Sequence, residues 1–162
     1  MNLIGQIINA MIAYYAGDVR RINHFLKVYG FAKAIGEMEG LDESTQEILE
    51  IAALIHDIGI KNSEKKYNSS AGNYQQIEGP PEAKKLLAEL GIESGVIDRV
   101  CWLIAHHHTY TDIQGIDYQI LVEADFLVNF YEDDMSIDSV HSAGGKMFKT
   151  LSGKAILNAI YS

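Results

Sequence analysis

Apolar residues recur at helical spacing along nearly the whole chain, and no run of alternating apolar and polar residues reads as a half-buried strand. Leu3, Ile4, Ile7, Ile8, Met11, Ile12 and Tyr15 keep i, i+3, i+4 intervals and predict a first helix that Gly17 stops. Asp18 stands ready to cap a second helix, Val19 to about Glu39, in which His24 shares a face with Val28, Phe31 and Ile35. Asp42 caps a third, Glu43 to about Asp57, whose second half is apolar nearly all round and so belongs at the centre of the fold. The polar stretch "KNSEKKYNSSAGNYQQIEG", Lys61 to Gly79, reads as a long loop, and loops of that length usually carry function. Pro80 and Pro81 then open a fourth helix that Gly91 closes. A fifth holds Val96, Ile97, Val100, Leu103 and Ile104 and runs into His106, His107 and His108. A sixth spans about Asp117 to Tyr131, with Asp125 among its inward apolar positions, and one or two more helices end the chain. The pattern predicts an all-α, single-domain bundle of about 6–8 helices over residues 1–162.

Composition narrows the partners. At 48% hydrophobic and 22% charged residues the chain has the profile of a soluble globular protein. Thirteen Lys and Arg against 22 Asp and Glu give a formal charge of −9, which argues against nucleic acid or an anionic membrane surface as the partner. No apolar run reaches the roughly 18 residues of a membrane span, and the N-terminus lacks a basic signal region. The one cysteine, Cys101, lies beside Trp102 in "VIDRVCWLIA"; it reads as a core residue, and the expected location is a reducing cytoplasm. The apolar stripe of the first helix serves the chain's own core or, in the alternative, a homodimer surface.

The chemistry concentrates in "EIAALIHDIG", Glu50 to Gly59, where an apolar run meets adjacent His56 and Asp57 and stops at a glycine. Burying an unpaired carboxylate costs on the order of several kcal/mol, so Asp57 requires an arginine, a set of backbone donors or a metal ion. Successive helical residues point about 100° apart, so His56 and Asp57 converge on one point only near a helix end, which Gly59 supplies. Two other helices also deliver polar groups from apolar faces. His24 stands in "RINHFLKVYGFA" and Asp125 in "LVEADFLVN"; His24 precedes His56 by 32 residues and Asp125 follows Asp57 by 68.

This ordered set resembles the motif of the HD superfamily of metal-dependent phosphohydrolases, over roughly Val19 to Asp133. The resemblance implies an HD-type helical domain with its motif core at 19–133, the N-terminal helix (1–17) and the C-terminal helices (136–162) packing on it. It implies His24, His56, Asp57 and Asp125 as metal ligands, with Asp57 bridging to a second ion or orienting the attacking water. The donor types agree: two imidazoles and two carboxylates, without cysteine, suit Mn²⁺, Fe²⁺, Co²⁺, Ni²⁺, Zn²⁺ or Mg²⁺. "HH" at His106 and His107 looks like the dinuclear branch of the superfamily, but Gln75 or Gln76 stands before Gly79 where that branch places another histidine. One tightly held ion is therefore expected, with His106 or His107 meeting the substrate or a weaker second ion.

The function so implied is hydrolysis of a small anionic phosphate-containing metabolite, a nucleotide above all, by a metal-activated water. Asp57, Lys61, His106 and His107 form the expected catalytic group, Lys61 and a histidine stabilising phosphoryl oxygens. Ser69 and Ser70 resemble hydroxyl residues of several hydrolase branches; Arg20, Arg21, Lys65 and Lys66 are further cations, and Glu78 and Glu123 further acid or base candidates. The alternatives are an HD-type di-iron oxygenase and a non-catalytic metal- or nucleotide-binding module.

Overall fold

The computed structural model describes residues 2–162, which form nine helices and no strand. They are α1 (Leu3–Tyr14), α2 (Val19–Met38), α3 (Glu43–Ile55), α4 (Ile60–Tyr67), α5 (Gly72–Glu89), α6 (Ser94–His106), α7 (Ile116–Glu132), α8 (Ile137–Met147) and α9 (Leu151–Ile160). Local chemistry sets the starts: Asp18 accepts from the Arg21 amide and Asp42 from the Thr45 amide, each satisfying a donor that the first helical turn leaves free. No helix among the described residues is long and apolar enough to cross a membrane.

Burial explains the layout. From Leu49 to Ile55 every residue of α3 is buried, which requires neighbours on all sides. α1, α2, α6 and α7 supply them, α5 backs α6, and α8 and α9 lean on α7. The α1 stripe lies inward, with Ile7, Met11 and Tyr15 in the hydrophobic core. Buried Glu50 is held by the Tyr29 hydroxyl (3.2 Å), the Gln46 amide (2.9 Å) and Lys33 (3.5 Å).

The expected loop from Lys61 to Gly79 is instead helical over most of its length, which raises the helix count above the expected range. Only Ile60 and Ser63 of α4 are buried, so a two-turn helix presents too few apolar positions to register a period. α5 begins at Gly72 and carries Pro80 and Pro81 in its interior rather than at its start. Interior prolines remove the amides that would reach the carbonyls of Gln76 and Ile77. Close packing holds the helix course regardless. A Cβ on Gly59 would lie 2.6 Å from the Gly79 nitrogen, and one on Gly79 would lie 2.6 Å from Ile104 Cγ2. These two glycines bring α5 against the turn after α3 and against α6, and that contact frames the site.

Candidate metal centre and active site

His24, His56, Asp57 and Asp125 meet where α2, the end of α3 and α7 converge. His24 Nε2 lies 3.3 Å from His56 Nε2, 3.2 Å from Asp57 Oδ2 and 3.1 Å from Asp125 Oδ1. His56 Nε2 lies 3.4 Å from Asp57 Oδ2 and 3.5 Å from Asp125 Oδ1. α3 stops at Ile55, and the turn 56–59 swings Asp57 toward His56, as adjacent residues within a continuing helix could not be. α1 fixes that turn from behind: the Tyr15 hydroxyl donates to the Asp57 carbonyl at 2.7 Å and the Tyr14 hydroxyl to the Ile58 carbonyl at 3.3 Å.

A second donor group shares Asp57. His107, at the C-terminal cap of α6, brings Nε2 to 3.5 Å from Asp57 Oδ1, and His108 lies beside it. His107 is buried, and its Nε2 has no hydrogen-bond partner. Its Nδ1 donates to the Ile104 carbonyl at 2.7 Å, just as His56 Nδ1 donates to the Ala53 carbonyl at 2.8 Å. Since a carbonyl can only accept, both rings carry the proton on Nδ1 when neutral and turn the Nε2 lone pair toward Asp57. A buried imidazole lone pair aimed at a carboxylate is the arrangement of a metal ligand. The two groups, His24–His56–Asp57 and Asp57–His107–His108, each bring their donor atoms within 4.8 Å of one another, and the first suits a divalent cation.

The carboxylates of the cluster favour protons on its imidazoles. Burial opposes charge on His24, but the Asp125 and Asp57 carboxylates outweigh it and push its pKa up to about 10. His56 is likewise raised well above the ordinary imidazole value, burial being overcome by Asp57 and Asp125. Burial alone would raise the two aspartates. His56 and His24 instead hold Asp57 well below the usual carboxylate range, and they do the same for Asp125. Two imidazolium rings facing two carboxylates are neutral overall, and so are two neutral rings, two carboxylates and one divalent cation. The site can thus exchange two protons for one ion with no net change in buried charge.

A model of the HD domain family matches residues 21–140, which contain all of these side chains. The chain belongs to the HD-domain family. A solved structure of a predicted HD superfamily hydrolase from an uncultured Thermotogales bacterium has the same fold, with a TM-score of 0.68 and 21% sequence identity. The likeness covers 96% of this chain and 83% of that one. No curated protein matches the sequence.

In this HD domain a cavity of about 280 Å³ opens onto Asp57 and Asp125, with Arg20, Arg21, Ser70 and His108 among its walls. Lys61, expected at the phosphate, is elsewhere. Its ammonium donates to the Tyr14 carbonyl at 3.1 Å and lies over the Tyr14 ring, because α4 turns the residue back toward the end of α1. The cations at the cavity are Arg20 and Arg21; Arg21 is held 2.9 Å from Glu64 of α4, while Arg20 lies 3.9 Å from Asp133. His106 also departs from expectation. One helical position before His107, it faces away from Asp57, stacks on Trp102 with ring centroids 4.0 Å apart and donates to the Trp102 carbonyl.

The remaining acid and base candidates have structural work. Glu78 is engaged by Lys66 and the Tyr67 hydroxyl. Fully buried Glu123 accepts from the amides of Lys149 and Thr150 and from the Thr150 hydroxyl, tying α7 to the start of α9. Ser69 caps the Ala71 amide, whereas Ser70 reaches the cavity wall. Lys65 lies in the last turn of α4 and does not line the cavity.

Gln75, one of the two glutamines standing where a further histidine was expected, closes a hydrogen-bond chain. Its Nε2 donates to the Ser70 carbonyl at 2.6 Å, which fixes its Oε1 as the acceptor from His108 Nε2 at 2.8 Å. His108 Nδ1 then accepts from the Tyr110 hydroxyl at 3.2 Å. Burial, reinforced by His107, brings the His108 pKa down to about 4, so the ring is neutral in this chain of bonds. Sequence reasoning overlooked Asn129 and Glu132, although with Asp125 they occupy i, i+4 and i+7 of one α7 face, a spacing that could have revealed them. Asn129 donates to Asp125 Oδ1 at 3.2 Å, and Glu132 Oε2 lies 3.0 Å from His24 Nδ1.

Proposed function

We propose that this HD protein is a metal-dependent phosphohydrolase acting on a small phosphorylated metabolite, with nucleotides the first class to test. The observation that carries the reading is Asp57 standing between two imidazole groups on the wall of a cavity that two arginines also reach. His24, His56, Asp57 and Asp125 would hold the ion, with His107 offering a further nitrogen. Bound there, a divalent cation polarises phosphoryl oxygens and lowers the pKa of a water at neutral pH.

The protein's own groups supply the rest. Arg20 and Arg21 are the cations that can meet the phosphate oxygens, and guanidinium groups suit planar two-point contacts with them. Asp57 and Asp125, held ionised, can accept a hydrogen bond from the attacking water and orient it. His108, neutral and fixed by Gln75 and Tyr110, adds a polar wall without adding charge. At about 280 Å³ the cavity is at the small end of ligand pockets, roughly 300–1,000 Å³, which favours a metabolite over a polymer.

The sharing of Asp57 between two donor groups also favours a second reading, a di-iron oxygenase. The hydrogen bond from His108 to Gln75 weighs against it, because the ring nitrogen it occupies is unavailable as a ligand. Phosphate release from a panel of nucleoside mono-, di- and triphosphates and sugar phosphates, with Mn²⁺, should be seen for wild type and lost in Asp57→Ala. Equal background release from both proteins on every compound sinks the hydrolase reading. Optical bands of a coupled iron pair would then move the weight to the oxygenase.

A further inference from the structure

The three buried histidines of the centre solve one problem in two ways. Each must keep a proton on Nδ1 if Nε2 is to offer a lone pair. His56 and His107 lie at helix C-terminal caps, where the last carbonyls have no partner within the helix, and each donates to the carbonyl three residues back. His24 lies inside α2, where the helix uses its own carbonyls, so its Nδ1 needs an acceptor from another element. α7 provides Glu132, with Oε2 at 3.0 Å.

Glu132 stands on the cavity wall against unfavourable local electrostatics. As the last residue of α7 it stands at the negative end of the helix dipole, with Asp133 next in sequence, in a chain already carrying −9. Its side chain is nonetheless only 11% exposed, and apart from His24 its ionic neighbour is Lys27, at 3.7 Å. The opposite edge of the His24 ring faces Asp57 and Asp125. Were Nδ1 left without an acceptor, the neutral ring could keep its proton on Nε2, donated to an aspartate, and no lone pair would face the cluster.

We infer that Glu132 is the positioning residue of the metal centre: it selects the His24 tautomer that leaves Nε2 free to bind. The inference rests on the metal reading given above. Calorimetric titration of the full chain with Mn²⁺ tests it in wild type, Glu132→Ala and Glu132→Gln. The alanine variant should bind roughly 10–100-fold more weakly, while the glutamine variant, whose amide oxygen still accepts, should recover most of the affinity. A purely structural role would instead lower thermal stability in the alanine variant and leave the affinity of its folded fraction unchanged. Wild-type affinity in a folded Glu132→Ala protein overturns the inference and leaves the metal reading intact. Uptake of no Mn²⁺ by wild type overturns both. Should the alanine variant fail to fold, long-range ¹H–¹⁵N spectra of Zn²⁺-loaded wild type read the tautomer directly. A proton on His24 Nδ1 supports the assignment, and a proton on Nε2 refutes it.

Discussion

Metal uptake should expel protons, and the number is set by the buried cluster. In the metal-free protein His24 titrates at about 10 and His56 well above its ordinary value, so both rings are charged at neutral pH. An ion that takes both lone pairs releases about two protons, so affinity should rise up to ~100-fold per pH unit, or ~3 decades from pH 6.5 to pH 8. Calorimetry in two buffers of different ionisation enthalpy counts the protons. The same shifts govern metal-free stability. A raised histidine pKa contributes stability that is complete below the unfolded value of about 6.5 and lost as pH climbs through the folded value, about 10 for His24. The depressed aspartates contribute stability that is present above about 3.9 and lost as pH falls toward their folded values. His108, held down at about 4, opposes this below about 6.5, because the unfolded ring takes up a proton that the folded ring refuses. Metal-free thermal stability should therefore be greatest near about pH 6.5 and decline both toward about pH 4 and toward about pH 10. Affinity independent of pH, with no protons released, would mean that the rings are already neutral and would refute the reasoning.

Arg21→Ala should raise KM for the phosphorylated substrate about tenfold or more through loss of a charge-assisted contact, whereas Lys61→Ala should leave KM within about twofold, since its ammonium is turned toward Tyr14; steady-state kinetics separates the two. Tyr15→Phe removes the hydroxyl that holds the Asp57 carbonyl and should cost about 1 kcal/mol in urea unfolding. Gly79→Ala drives a methyl against Ile104 and should cost roughly 1–3 kcal/mol by the same assay. Mn²⁺ at about 100 times its Kd should stabilise wild type by about 2.7 kcal/mol, an increment that a chelator removes.

Much of this protein was legible along the chain. The helical period, the caps at Asp18 and Asp42 and the central place of α3 are local or follow from burial of a stripe, so they survive folding unchanged. The motif aspartates and histidines stood out because a polar group in an apolar helix needs a partner, and the fold brings His24, His56, Asp57 and Asp125 together. α4 was hidden because two turns with two buried residues carry no period. The course of α5 through Pro80 and Pro81 depends on the Gly59–Gly79 approach, a contact between segments twenty residues apart.

Residue order carries the inventory: an all-helical chain, a metal-type donor set, and a net negative charge that makes the few cations matter. Tertiary structure decided which members of that inventory face one another. It chose His107 over His106, because one step of about 100° at the end of α6 puts one ring on Asp57 and the other on Trp102. It moved the cationic wall from Lys61 to Arg20 and Arg21, and it set Glu132 behind His24 from 108 residues away. Direction in space is fixed by helix rotation and packing, which no residue carries alone, and the chemistry proposed for this centre depends on direction.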